Sequence, residues 1–383
     1  MDKSIYLDNA ATSFPKPQCV IDNMMNYMTN FGGNPSRGSS SIALAGNRAL
    51  YDCRETIAGF FNFDKVENVI FTNNITTSLN TILNSLVKKD WHVITTSMDH
   101  NSVLRPLEKL KSTIGIKVDY AQANAEGFIN ISTIEKLIKP NTKLLVMSHA
   151  SNLTGSIQDI TSIGKLCMDN GIFFVVDTAQ TAGVIPIDMK ASNINALAFT
   201  GHKSLFGPQG IGGFIIDDKI NEVMDTVFVG GTGSSSYSLD HPRELPDKFE
   251  YGTLNTPGII GLHTGINFIK EEGIEKIRDK EEKLCQYALL ELSKLDNIII
   301  YGSMDATKRT STILFNIEGL DSSELGFYLD FEKGIVTRTG IHCAPLAHKT
   351  LGSFRCGGVR ISPGYFNTKE DIDFLIQALK FKI

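Results

Sequence analysis

Val175-Val176-Asp177-Thr178-Ala179-Gln180 carries an apolar run into an acid, and Phe199-Thr200-Gly201-His202-Lys203-Ser204 carries a second into a Gly-flanked lysine. Both runs read as buried strands whose polar ends meet where an α/β sheet builds its ligand crevice. On either side of them, strand-like runs at 66–72, 92–97 and 143–149 are each followed by amphipathic stretches, at 77–87, 103–112 and 160–170. Further short apolar runs fall at 172–176, 196–199 and 212–216. This alternation predicts βαβ units and a mostly parallel sheet. A Gly- and Ser-rich stretch, 230–238, separates this region from helices predicted at 261–272 and 276–295. The pattern then changes. Strand 310–317, helix 322–332, strand 334–337 and a closing helix 369–381 predict a smaller α+β unit, completed by the first residues of the chain. The expected division is 16–260 for the large unit, and 1–15 plus 261–383 for the small one.

The 383 residues are ample for more than one core. Apolar residues at 42% and charged residues at 21% exclude a mainly disordered or coiled-coil chain. A formal charge of -5 without a Lys/Arg run argues against nucleic acid as a partner. Charges in Met1–Asp8 interrupt any signal-peptide core, and no apolar stretch is long enough for a membrane span, so a cytoplasmic protein without a membrane partner is expected. The 6 cysteines form no C-x-x-C pair, which fits reduced thiols. His342, Cys343, His348 and Cys356 match no paired zinc spacing, so no metal is expected.

The chemistry is sought at the strand ends. A carboxylate such as Asp177 can keep a pyridinium nitrogen protonated while Lys203 forms a Schiff base, the pairing that a pyridoxal cofactor needs. Taken singly, an Asp after a strand is more often a helix cap and a loop Lys more often solvated. Gly207-Pro208-Gln209-Gly210-Ile211-Gly212-Gly213 lacks the Gly-Lys-Ser/Thr of a P-loop, which removes the nucleoside-triphosphate reading. The turn Asn73-Asn74-Ile75-Thr76-Thr77 enters a helix, so its backbone N–H groups and the Thr76 hydroxyl suit a phosphate, or a plain N-cap.

Tyr6-Leu7-Asp8-Asn9-Ala10-Ala11-Thr12, Asp99-His100, Ser151-Asn152, Asp177-x-x-Gln180, Thr200-Gly201-His202-Lys203 and Arg338-Thr339-Gly340-Ile341-His342-Cys343-Ala344-Pro345, in this order, resemble the cysteine desulfurase and selenocysteine lyase family. The resemblance implies an α/β fold of the PLP-dependent transferase type (aspartate aminotransferase-like, class V), with a large mostly parallel-sheet domain and a smaller α+β domain. The cofactor it implies is pyridoxal 5′-phosphate (PLP).

By this resemblance Lys203 is the Schiff-base lysine and proton shuttle, Asp177 the partner of the pyridine nitrogen, and Gln180 and Asn152 neighbours of the phenolate oxygen. His100 is the stacking imidazole. Ile75, Thr76, Thr200 and His202 take phosphate positions, and Thr253 reaches the phosphate of a second subunit, which implies a homodimer. Leu254 stands where the family's turn carries proline. Arg360, Arg338 and Asn152 fall at substrate positions, Arg360 as the α-carboxylate clamp. Cys343 is the nucleophilic thiol, its thiolate expected to be favoured by His342 and Arg338. The short span from Cys343 to Arg360 resembles the short-loop branch, in which an acceptor protein takes the sulfur or selenium.

The implied activity is conversion of L-cysteine to L-alanine with a persulfide on Cys343. The alternatives are selenium release from L-selenocysteine, or a same-fold transaminase, epimerase or β-lyase that makes no use of Cys343. A non-catalytic interaction protein is the remaining class, and the retained Lys203, Asp177, His100 and Arg360 argue against it. Cys356 reads as a resolving or a packed thiol.

Overall fold

The structure is a computed structural model that describes residues 4–35, 40–234 and 237–382. Met1–Lys3, Ile383 and the Ser235-Ser236 part of the Gly/Ser-rich stretch lie outside the described residues. The centre is a seven-stranded sheet in the order Val69–Thr72, Gly212–Ile216, Ala196–Thr200, Phe173–Asp177, Thr142–Ser148, His92–Thr96, Lys117–Ala121. Gly212–Ile216 runs antiparallel to both of its neighbours, and the other six strands share one direction. Along the central strands alternate side chains enter different cores. Leu145, Met147, Val176, Leu197 and Phe199 join one hydrophobic cluster, whereas Leu144, Val146, Val175, Ala196 and Ala198 join the other. Burial on both faces explains why these strands read as continuous apolar runs.

A second, antiparallel sheet runs Arg338–Gly340, Gly358–Ile361, Ile313–Ile317, Ile298–Tyr301. The N-terminal strand Ile5–Tyr6 pairs in parallel with Ile335–Val336. Leu7 is buried in a third cluster with residues of the helices Ile274–Leu292 and Lys369–Lys380. The chain start therefore packs against the C-terminal part.

Several boundaries differ from the sequence reading. Residues 66–68 form a 3-10 turn and the strand begins at Val69. The stretch 322–332 divides into the α-helix Ser322–Phe327 and a π turn, Tyr328–Glu332. The expected helix at 261–272 starts earlier, at Thr256, where the Asn255 side chain caps it by accepting from the Gly258 N–H. Two long helices, Gln18–Asn30 and Ser41–Phe60, were not foreseen; both pack on the helix Thr256–Glu272.

Arg54, on the helix Ser41–Phe60, is buried against Glu250 through two nitrogen–oxygen contacts of 2.9 and 2.7 Å. Glu250 also accepts the Phe71 N–H at 2.7 Å, and Arg54 donates to the Val69 carbonyl. This pair ties the edge strand Val69–Thr72 to the segment that carries Thr253. Glu250→Ala leaves a buried guanidinium uncompensated, and urea unfolding should show a loss of about 3–5 kcal/mol. A loss below about 1 kcal/mol would mean that solvent reaches Arg54.

Candidate active site

The polar ends of the central strands converge as expected. Asp177, the last residue of its strand, is buried, and its carboxylate accepts the Ala179 N–H at 2.9 Å. Burial raises its pKa to about 6, against the pull of that hydrogen bond and of nearby Lys203. Lys203 lies just past Ala196–Thr200, and burial lowers its pKa to about 8, with Asp177 opposing and Arg360 and Arg338 assisting. Gly201 is held on this loop by bonds to the Ile211 carbonyl and from the Gly207 N–H, each of 2.9 Å. A Cβ there would approach the Ile211 side chain to 2.8 Å.

His100 is the N-cap of the helix Asn101–Ile114, and its Nδ1 accepts the Ser102 N–H at 3.0 Å. That acceptance places the ring proton on Nε2. Burial, followed by the charges of Lys203, Arg338, Arg360 and Arg105, pulls the His100 pKa to about 4, so the ring is neutral at about pH 7. Asp99 fixes the approach to His100. Its buried carboxylate accepts from the Thr95 hydroxyl, the Thr96 N–H and hydroxyl, and the Ser148 N–H, at 2.7, 2.7, 2.8 and 2.6 Å.

At the phosphate positions, Thr200 Oγ1 and His202 Nδ1 are buried and unpartnered among the described residues. The helix Ile75–Leu86 is capped by Asn74, which accepts the Thr77 N–H at 3.0 Å, leaving the Ile75 and Thr76 N–H groups without an acceptor among the described residues. Thr76 itself is exposed. Exposed Thr253 borders a cavity of about 230 Å³ together with Asn73 and Thr77 of its own chain. Lys16, which sequence reasoning missed, donates to Ser13 Oγ and the His202 carbonyl at 2.7 and 2.8 Å and so braces the phosphate side of the loop.

The substrate positions form a connected set. Arg360 is 1% exposed; it donates to Asp8 Oδ1 at 2.6 Å and to the Asn152 carbonyl at 3.0 Å, and its Nε is unpartnered among the described residues. The guanidinium expected to grip a carboxylate is thus already oriented by Asp8, with one nitrogen spare. Asn152 donates to the His342 carbonyl at 2.8 Å, and its Oδ1 is unpartnered among the described residues. Gln180 donates to the Ala10 carbonyl at 3.1 Å. Arg338 is half-buried, and its carbonyl lies 3.1 Å from His342 Nε2.

Cys343 is exposed on the loop between Arg338–Gly340 and the helix Pro345–Leu351. Its carbonyl accepts the Asn101 N–H at 2.8 Å, which ties the thiol loop to the residue after His100. His342 and Cys343 both have left-handed backbones, with φ of 51° and 57°. Non-glycine residues are uncommon there and hold that conformation only where surrounding contacts impose it. One expectation is corrected. Burial pulls the His342 pKa to about 3, and the ring is neutral, so it offers Cys343 no positive charge. Its place is structural: Nδ1 lies 3.4 Å from His348 Nε2, and His348 Nδ1 lies 2.7 Å from Ser353 Oγ. Cys356 contacts Asn316 Nδ2 at 3.4 Å. No cluster of metal ligands occurs among the described residues.

Fold and crevice together define a class: residues 5–375 match the class-V aminotransferase family model, and the chain belongs to that family. Within it, the chain is similar to cysteine desulfurases. A probable cysteine desulfurase of Methanothermobacter thermautotrophicus is 32% identical over 98% of this chain and 94% of its own. A probable cysteine desulfurase of Pyrococcus abyssi is 34% identical over 98% of this chain and 93% of its own. The apo structure of the cysteine desulfurase from Thermococcus onnurineus superposes with a TM-score of 0.92 at 32% identity, covering 99% of this chain and 94% of that one.

Proposed function

We propose that this chain is a PLP-dependent cysteine desulfurase that converts L-cysteine to L-alanine and receives the sulfur on Cys343 as a persulfide. The observation that carries the reading is the tether of an exposed thiol, by the Asn101 N–H and through Asn152 and His342, to the crevice holding Lys203 and Asp177. A same-fold transaminase has no use for a thiol so placed.

The residues suit the cofactor. Thr200 Oγ1, His202 Nδ1 and the Ile75 and Thr76 N–H groups are spare donors or acceptors of the kind that hold a phosphate at a helix N-terminus. Asn152 Oδ1 is a spare polar atom on the phenolate side, and Gln180 follows Asp177 by three positions on the same strand-end loop. Asp177 is a buried carboxylate in want of a cationic partner, the role a protonated ring nitrogen fills. When bound, PLP supplies an electron sink for charge developing at the substrate Cα.

The chain's own residues do the rest. Lys203, with its lowered pKa, holds the cofactor and takes the Cα proton at Nζ. Arg360, oriented by Asp8, offers its spare edge to the α-carboxylate, with Arg338 nearer the entrance. His100, neutral with its proton on Nε2, serves proton transfer above the crevice. Cys343 thiolate attacks the substrate sulfur; its S–S bond forms as the substrate C–S bond breaks, and the carbon fragment leaves as alanine.

The active unit is proposed to be a cytoplasmic homodimer in which Thr253 of one subunit serves the phosphate of the other, and an acceptor thiol later takes the sulfur. The third core cluster, which joins Leu7 to residues 285–379, supports grouping 1–15 with the C-terminal part, but the expected boundary between 260 and 261 falls inside the helix Thr256–Glu272, whose Ile259, Leu262, Ile266 and Ile269 pack in the first cluster with the large unit. No helix of the described residues is long and apolar enough to cross a membrane.

Alanine, sulfide and selenide release from L-cysteine and L-selenocysteine, with reductant present, tests the reading. Alanine from L-cysteine in step with sulfide supports it. Release from L-selenocysteine alone makes the chain a lyase, and pyruvate or keto acid in place of alanine makes it a β-lyase or transaminase.

A further inference from the structure

A cavity of about 590 Å³ lies beside the Cys343 loop, between the helices Asn101–Ile114 and Pro345–Leu351. Its size is that of a small-molecule site. It is distinct from the residues around Lys203, yet it abuts the thiol loop: Asn101, whose N–H holds the Cys343 carbonyl, lines one wall, and Pro345 and Leu346 line the other. Leu104, Tyr120, Pro345 and Leu346 give it an apolar lining, and Ser97 and Gln122 add polar groups.

The charges on its walls are unequal in their commitments. Glu108 is engaged, accepting from the Tyr120 hydroxyl at 2.5 Å and from Lys111 at 3.2 Å. Arg105 has no ion pair or hydrogen bond among the described residues, and Lys349 makes only a cation–π contact, 5.0 Å from the Phe354 ring. Two exposed cations without acidic partners therefore face a cavity whose one carboxylate is already satisfied. Charge complementarity selects an anionic occupant, and the site's neighbour is a sulfur carrier.

We propose that this cavity binds the sulfur acceptor, a small thiol of about tripeptide size bearing carboxylates that pair with Arg105 and Lys349. The inference rests on the desulfurase reading above. In the step, the acceptor thiolate attacks the outer sulfur of the Cys343 persulfide. The new S–S bond forms on the acceptor, the old one breaks, and Cys343 leaves as thiolate, so no outside oxidant or reductant is consumed.

The test uses PLP-loaded protein with saturating L-cysteine and three acceptors: glutathione as the anionic thiol, 2-mercaptoethanol as the neutral one and cysteamine as the cationic one. Rates are compared per thiolate. Glutathione should saturate, and R105Q/K349Q should raise its KM about tenfold while leaving the 2-mercaptoethanol rate unchanged. Leu346→Trp, which fills the cavity, should block glutathione alone. Equal dependence for all three thiols, or saturation by an acidic acceptor protein with none by glutathione, would overturn the proposal. The two readings fail separately: with L-cysteine as the only added thiol, at least one equivalent of alanine per active site must still appear in wild type and both variants. Its absence in wild type removes the desulfurase reading itself, whereas its presence without discrimination among thiols removes only the cavity.

Discussion

Replacing Cys343 by alanine is expected to lower alanine formation from L-cysteine by about three orders of magnitude or more, with PLP content unchanged. The thiol is exposed, and the contact that ties its residue to Asn101 is made by the backbone carbonyl, which alanine retains. Alanine also tolerates the left-handed φ of 57° no worse than cysteine does, so the loop should keep its course. The comparison needs both steady-state alanine and the cofactor's absorbance on adding substrate. A variant that keeps full turnover would return the chain to the transaminase, epimerase or β-lyase readings.

Lys203→Met should remove activity by a similar factor, and at the same time make the cofactor-free protein more stable near neutral pH. In the folded chain burial holds the Lys203 pKa at about 8, below its ordinary 10.5. Below about pH 8 the lysine is charged in both states, and the folded state bears the whole cost of burying that charge. Between pH 8 and 10.5 the unfolded chain binds a proton that the folded chain has released, so stability rises with pH. Above 10.5 the cost is gone. Removing the amine should therefore stabilise the cofactor-free protein by about 2 kcal/mol at about pH 7, a gain that shrinks toward about pH 10. Urea midpoints of both proteins at the two pH values measure it. An equal gain at both would assign the effect to packing rather than to charge.

These residues were legible because each stands next to a strand end. The apolar runs leading to Asp177 and Thr200 are buried on both faces, so composition alone reveals them. The edge strand Lys117–Ala121 escaped notice for the opposite reason: Lys117 is exposed and Val118, Asp119 and Tyr120 are half-buried, and no apolar run forms. The helix Gln18–Asn30 buries only Val20 and Tyr27 among its side chains, which leaves little periodic signal. Within the site, the Asp8 partner of Arg360 is a contact between chain ends, made only when Ile5–Tyr6 docks on Ile335–Val336. The neutrality of His342 depends on burial and on the nearby Arg360 charge, which a motif cannot express. Sequence pattern named the thiol, and packing determined what surrounds it.

Transfer of sulfur from L-cysteine to Cys343 leaves a mass signature on the protein. Intact-mass and peptide mass spectrometry of PLP-loaded protein, treated with L-cysteine and no other thiol and then alkylated, tests it most directly. One added sulfur is expected on the peptide containing Cys343, matched by an equivalent of alanine. Alanine without sulfur on that peptide, or sulfur on Cys356 in its place, would contradict it.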